Sequence, residues 1–254
     1  MKPRLPWRTQ SHRWDRPSLF VVCHAFQSAL TDDKKPIVCT TSGRVGRSAC
    51  ATKAGILMIT IFDYGAGNLR SVENTLAELG CAYTLVRDRE GLLRADKILL
   101  PGVGHFGQMM RALDGLDVRA ALVERIRAGV PFLGICLGLQ ALFESSEEAP
   151  EVRGLGLFAG SVRRFSSDAR VPHMGWNELE VKPDSKLVRD LPGRPFVYFA
   201  HSYYVPVNAR AAAICTYAAP YTAVLEADNA FGVQFHPEKS GPVGLKIVQN
   251  FVEM

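Results

Sequence analysis

The decapeptide from Pro131 to Gln140, PFLGICLGLQ, constrains the fold more than any other stretch of this chain. The apolar run from Val130 to Ile135 reads as a buried strand, and a helix-forming run, Leu137 to Phe143, follows at once. Gly134-x-Cys136-x-Gly138 sits at the junction, the cysteine form of the G-x-S-x-G elbow. A nucleophile on so sharp a strand-to-helix turn is strained and exposed, and glycine two residues to either side relieves the crowding. The new helix is expected to aim its N-terminal amides and positive dipole end at Cys136, favouring the thiolate and holding an oxyanion. The plainer alternative is a cysteine packed on a core strand, since free cysteine is among the most buried residue types.

A second stretch bears on that choice. Ala230 to Phe235 reads as another buried strand and runs into His236-Pro237-Glu238. Side chains at i and i+2 of an extended segment lie on the same side, so His236 and Glu238 can face one site while Pro237 ends the strand. A nucleophilic cysteine needs a base, and the base needs an orienting group. Cys136, His236 and Glu238 supply all three, which favours catalysis over a structural histidine and a solvated carboxylate.

At 254 residues, the chain can build one sizeable α/β domain. No run approaches the ~18 apolar residues of a membrane helix. The net charge of +5 suggests a polyanion partner until it is placed. Residues 1–57 hold ten Lys/Arg against three Asp, whereas 58–254 hold twenty against twenty-two Asp/Glu. The basicity belongs to the leader, and the remainder offers no electrostatic case for nucleic acid. The six cysteines (23, 39, 50, 81, 136 and 215) show neither C-x-x-C nor Cys/His ligand spacing, so neither zinc nor a disulfide framework is indicated. Scattered thiols suit a reducing compartment, here the cytoplasm. Cys81 and Cys215 read as core.

Residues 1–57 have no sustained period and read as a basic, poorly ordered extension. An organelle-targeting leader, a functional basic arm, and an upstream extension of the reading frame with Met58 as the natural start all fit. The clean first strand at Met58 favours the last. From there βα units follow: strand 58–62, the Gly-rich turn Asp63 to Asn68, helix 69–79 capped by Gly80, strands 82–86 and 97–100, then helical segments to about Arg127. This alternation predicts a doubly wound, mostly parallel sheet flanked by helices, with its site at the strands' C-terminal ends. Residues 154–207 read as a smaller strand-rich layer, 223–226 and 231–235 as a hairpin, and 244–252 as a closing helix. Gly102-x-Gly104-x-x-Gly107 matches the dinucleotide fingerprint, but it lies outside the first βα turn and lacks the later acidic partner. Its glycines are better used to bring backbone amides close to a small anionic centre.

Taken together, Gly134 to Gln140 and Phe235-His236-Pro237-Glu238 resemble the class I (triad) glutamine amidotransferases. Asp63 to Asn68, Pro101-Gly102-Val103-Gly104, Pro172 to Asn177, Tyr198 to Tyr203 and Lys239-Ser240 narrow the resemblance to glutaminase subunits of imidazole glycerol phosphate synthase, the histidine-pathway enzyme. The similarity covers Met58 to the C-terminus. It implies that Cys136 is the nucleophile, His236 its base and acid, and Glu238 the orienter. The Leu137 amide, with one from Gly102 or Val103, would hold the oxyanion. Gln140, Glu148, Ser202 and Tyr203 would bind glutamine's α-amino and α-carboxylate groups. Asn68, His173, Met174, Trp176, Tyr198 and Lys239 would lie at or near the face that docks the partner, a (β/α)₈-barrel cyclase that consumes the ammonia in a heterodimer. No metal or organic cofactor is implied. In the family, one peptide of the Pro-Gly-Val-Gly loop is thought to reorient before it donates to the oxyanion, which implies weak activity for the isolated chain. The alternatives are the same chemistry serving another synthase, such as the pyridoxal phosphate or anthranilate enzymes, a cysteine hydrolase or redox-sensing protein, and a non-catalytic binding subunit.

Overall fold

The computed structural model describes residues 58–254; the expectations for residues 1–57 lie outside the described residues. In chain order the elements are β1 (Ile59–Phe62), α1 (Leu69–Glu78), β2 (Tyr83–Val86), α2 (Arg89–Leu93), β3 (Lys97–Gly102), α3 (Phe106–Gly115), α4 (Arg119–Arg127), β4 (Phe132–Cys136), α5 (Leu137–Gln140) and β5 (Phe143–Ser146). They continue as β6 (Phe158–Arg164), β7 (His173–Glu178), β8 (Glu180–Val181), β9 (Phe196–His201), β10 (Tyr203–Tyr204), β11 (Ala211–Thr216), β12 (Pro220–Ala227), β13 (Ala230–Val233), a 3₁₀ turn (Pro237–Lys239) and α6 (Gly241–Val252).

An eight-stranded sheet in the order β2-β1-β3-β4-β13-β12-β11-β8 forms the centre. From β2 to β13 neighbours are parallel, and from β13 to β8 they are antiparallel. The inner strands β1, β3, β4 and β13 are buried at every position. Continuous apolar runs in the sequence therefore mark strands covered on both faces. Alternate side chains feed two cores. Ile59, Ile61, Leu99 and Leu133 pack with Leu76, Ile247 and Phe251 on one face, while Ile98, Leu100 and Phe132 meet Met109, Leu113 and Leu122 on the other. The strand-rich layer comprises a three-stranded sheet, β10-β6-β5, and an antiparallel pair, β7-β9.

Several boundaries differ from the sequence expectation. The helix expected over 137–143 is a single turn, α5, and the chain enters β5 at Phe143. The carbonyls that a longer helix would use are taken instead: Ala141 O accepts from Leu155 N, Leu142 O from Leu157 N and Phe158 N, and Phe143 O from Gly156 N. The closing helix starts at Gly241 rather than 244. The hairpin's first strand is Pro220–Ala227, and β11 pairs beside it. The alanines at 211–213 carry little β propensity, so that strand leaves a faint sequence signal. Cys215 is buried, whereas Cys81 is half-buried beside the core rather than within it.

At the C-terminal end of β4, glycine is required by close approach. A Cβ on Gly134 would stand 2.4 Å from Gly138 O, and one on Gly138 would stand 2.1 Å from Leu100 O. The neighbours are backbone atoms and cannot swing aside. Gly134→Ala should therefore lower stability by ~2–3 kcal/mol in denaturant unfolding. An unchanged midpoint would contradict this packing.

Candidate active site

Cys136 ends β4 with φ 52° and ψ −105°, a conformation that costs a non-glycine residue ~1–3 kcal/mol and persists only where surrounding structure enforces it. Enforcement comes from both sides. Gly102 of β3 is the register partner of Cys136, and Val233 of β13 is that of Ile135. The strained turn lifts the sulfur out of the sheet into a cleft of roughly 200 Å³, though the residue as a whole remains only 7% exposed. Because α5 is one turn long, its dipole is a small part of what helix N-termini usually provide. What the turn does offer is the Leu137 amide, beside the sulfur and free of an intrahelical partner.

His236 arrives on the segment leaving β13. Its Nδ1 stands 2.8 Å from Glu238 Oε1, and both side chains are almost fully buried. The backbone fixes this pair from behind. His236 N–H donates to Tyr198 O, Tyr198 N–H donates to Ser240 Oγ, and that hydroxyl donates to His236 O at 2.7 Å. Burial acts to lower the His236 pKa, but hydrogen bonds with Cys136 and Glu238 and their charge outweigh it and push the value up to about 10. The three residues expected from spacing thus share one site, with the imidazole between sulfur and carboxylate.

A second histidine lines the cleft and is a different kind of group. His201 is held by the Tyr203 carbonyl at 2.8 Å and faces the Tyr221 hydroxyl, and burial drives its pKa down to about 3. It stays neutral and serves as a wall. Gln234, absent from the sequence reading, is fully buried and donates from Nε2 toward Cys136 Sγ at 3.6 Å. Its Oε1 accepts from Gln140 Nε2, which also donates to Tyr203 O. In sequence Gln234 is one polar residue inside an apolar strand, and that anomaly was the available signal.

The cleft is also lined by Val103, Gly104, Gln140, Glu148, Ser202 and Tyr203. Glu148 places Oε2 2.7 Å from the Phe106 amide at the start of α3. The volume falls below the ~300–1,000 Å³ of clefts for drug-sized ligands and suits one amino acid. Met174 and Trp176 are 64% and 56% exposed, with Tyr198 edge-on to Trp176 and the Lys239 ammonium over the Tyr198 ring. Asn68 is exposed. His173 is buried beside these exposed side chains. Strand alternation turns it inward, where it stacks on Phe199 and Tyr217, and burial lowers its pKa to about 4. Two glycines of the Gly102–Gly107 fingerprint serve packing: a Cβ on Gly102 would strike Gly138 N at 2.6 Å, and one on Gly107 would stand 2.9 Å from the Ala149 Cβ.

A strained cysteine, a buried imidazole and a carboxylate around a cleft sized for an amino acid define an amidase-type nucleophile site. Sequence comparison agrees: the profile of "Glutamine amidotransferase class-I" matches residues 60–254, and the chain belongs to that family. Within it, the chain is 48% identical over 198 residues to "Imidazole glycerol phosphate synthase subunit HisH" of Methanothermobacter thermautotrophicus, covering 78% of this chain and 98% of that protein. Its identity to the protein of the same name from Methanosarcina barkeri is 46% over 200 residues, covering 77% and 98%. A crystal structure described as a glutamine amidotransferase shares the fold at TM-score 0.62 and 19% identity, covering 78% of this chain and 98% of that one. PurLQS from Thermotoga maritima does so at TM-score 0.60 and 20% identity, covering 77% and 97%. Among the described residues, no helix is long and apolar enough to cross a membrane.

The raised His236 pKa has a consequence for stability. Folding binds that proton more tightly than the unfolded chain does, so the contribution is complete below about pH 6.5 and fades as pH climbs toward about 10. His236→Gln should therefore show a larger stability deficit against the parent at about pH 6 than at about pH 10 in denaturant melts. A deficit that grows with pH would contradict the paired imidazole.

Proposed function

We propose that the chain is the glutaminase subunit of an imidazole glycerol phosphate synthase, hydrolysing glutamine to glutamate and ammonia for histidine biosynthesis. The observation that carries this is the His236–Glu238 pair within reach of Cys136 at the mouth of a small cleft. His236 takes the Cys136 proton and the sulfur attacks the side-chain amide carbon of glutamine. The Leu137 amide, with one from Gly102 or Val103, stabilises the tetrahedral oxyanion. As the carbon–nitrogen bond breaks, His236 returns its proton to the nitrogen and ammonia leaves. Water then attacks the thioester, glutamate departs and the thiol is restored. Glu238 orients the imidazole and balances its charge.

Gln140, Glu148, Ser202 and Tyr203 bind the substrate's α-amino and α-carboxylate groups, with the Glu148 carboxylate suited to the ammonium. Met174, Trp176, Tyr198, Lys239 and Asn68 form the docking face for a (β/α)₈-barrel cyclase, with His173 packed beneath it. Residues 58–254 constitute the glutaminase unit. A nucleophile that works as a thiolate must stay reduced, which supports a reducing compartment, here the cytoplasm.

Cys136→Ser should abolish glutamine-dependent synthesis by the complex and leave synthesis from added ammonium salts intact. Loss of both activities in a folded variant would argue against an amidotransferase.

A further inference from the structure

Two side chains reach the Cys136 sulfur from the segment that leaves β13. One is His236, hydrogen-bonded to Cys136 and already the base of the mechanism. The other, two residues earlier, is Gln234, to which the mechanism gives no task. Its side chain is fully buried and its Nε2 lies 3.6 Å from Sγ, an ordinary length for a hydrogen bond to so large an acceptor. A carboxamide can turn over and present its oxygen instead, so its neighbours must settle the orientation. Gln140 does so. Its Nε2 donates one hydrogen to the Tyr203 carbonyl at 2.8 Å, a group that can only accept. The second hydrogen goes to Gln234 Oε1 at 3.1 Å. Gln234 therefore turns its oxygen to Gln140 and its amide hydrogens to the sulfur, while its backbone N–H is tied to Ala223 O at 2.9 Å.

A sulfur in this position needs a donor. Cys136 is 7% exposed, so water gives little relief to the charge that forms when His236 takes the proton. A neutral carboxamide suits the task, because it donates to a thiolate without competing for the proton as a second base would. Val233 and Phe235 on either side are fully buried and apolar. A carboxamide between them costs burial energy that a valine or leucine would avoid, unless its polar atoms are used. The contact with the sulfur uses them.

We propose that Gln234 is a further catalytic residue: its side-chain N–H holds the Cys136 sulfur on the cleft side and stabilises the thiolate that attacks glutamine, while Gln140 and the Tyr203 carbonyl keep that N–H aimed. This rests on the glutaminase reading above and adds a residue to its machinery. It also narrows the part that Gln140 plays in binding. With both Nε2 hydrogens spent, Gln140 offers a ligand the acceptor Oε1, which fits the α-ammonium of an amino acid.

Two variants of the full chain, assayed with the barrel cyclase, test this. Gln234→Met keeps the length and removes the donor. Gln234→Glu keeps the shape and the acceptor for Gln140, and its carboxyl can donate to the sulfur only while protonated. In Gln234→Met, kcat for glutamine hydrolysis should fall about tenfold or more with KM within about threefold, because a hydrogen bond to a charged reacting atom is lost. Alkylation of Cys136 by iodoacetamide, read by peptide mass mapping, should slow by a similar factor, and alkylation of Cys81 should not change. In Gln234→Glu the kcat deficit against the parent should grow as pH rises from about 5 to about 9, as the carboxyl loses its proton. The other titratable groups around the sulfur (His236, Tyr64, Tyr221 and, in the same cleft, Glu148) are common to parent and variants. Parent-like kcat and alkylation in both variants, or a loss confined to KM, overturns the contact and leaves the glutaminase reading in place. So does a loss that is the same at every pH in both variants and follows a lowered melting midpoint, which makes Gln234 a packing residue. Absence of Cys136-dependent glutaminase activity in the parent complex overturns both.

Discussion

The rest of the site depends on one backbone constraint, the positive φ of Cys136 at the end of β4. A cysteine continuing the strand would point into one of the two cores, where it would be inert. The turn instead raises the sulfur toward the cleft, and the sheet holds it there by pairing the last residues of β4 with β3 on one side and β13 on the other. Both flanking strands then deliver chemistry. β3 runs on into the Val103 loop, and β13 into Gln234 and His236. Parallel pairing thus does the assembling, because it brings the C-terminal ends of strands distant in sequence to one edge of the sheet.

Electrostatics separates two histidines that share this cleft. Each is buried, and burial alone would leave each neutral. His236 escapes that outcome because it lies between a thiol and a carboxylate, and because Tyr198 and Ser240 fix its backbone in that position. His201 meets only a carbonyl and a tyrosine hydroxyl and remains a neutral part of an aromatic cluster. β9 links this chemistry to the surface: Tyr198 accepts the His236 amide with its backbone and supports exposed Trp176 with its ring. A partner seated on Trp176 would touch a strand whose backbone holds His236.

The grouping of Cys136, His236 and Glu238 is legible in the sequence because each obeys a short-range rule. Glycines at i±2 mark the elbow, and an i, i+2 pair at a strand end marks His236 and Glu238. The buried strands were legible as unbroken apolar runs. Features that depend on contacts between distant segments were not. The hydrogen bond from Gln140 to Gln234 spans 94 residues, and no local pattern announces it. Gln234 looked like an ordinary interruption of a strand until the fold set it against the sulfur. The helix after the elbow is shorter than its sequence suggests because the competing partners for its carbonyls, residues 155–158, lie on a later segment. His173, expected at or near the docking face, is buried beneath Met174 and Trp176 because strand alternation sends neighbours within one motif to opposite faces.

The central claim is that the fold makes one of its thiols a nucleophile for the amide carbon of glutamine. Labelling with an electrophilic diazoketone analogue of glutamine, followed by peptide mass mapping, examines that claim without needing turnover. The account predicts a single adduct on Cys136 whose formation is slowed by excess glutamine and by His236→Gln. An adduct on Cys81 or Cys215 instead, or labelling of Cys136 that glutamine does not protect, would contradict it.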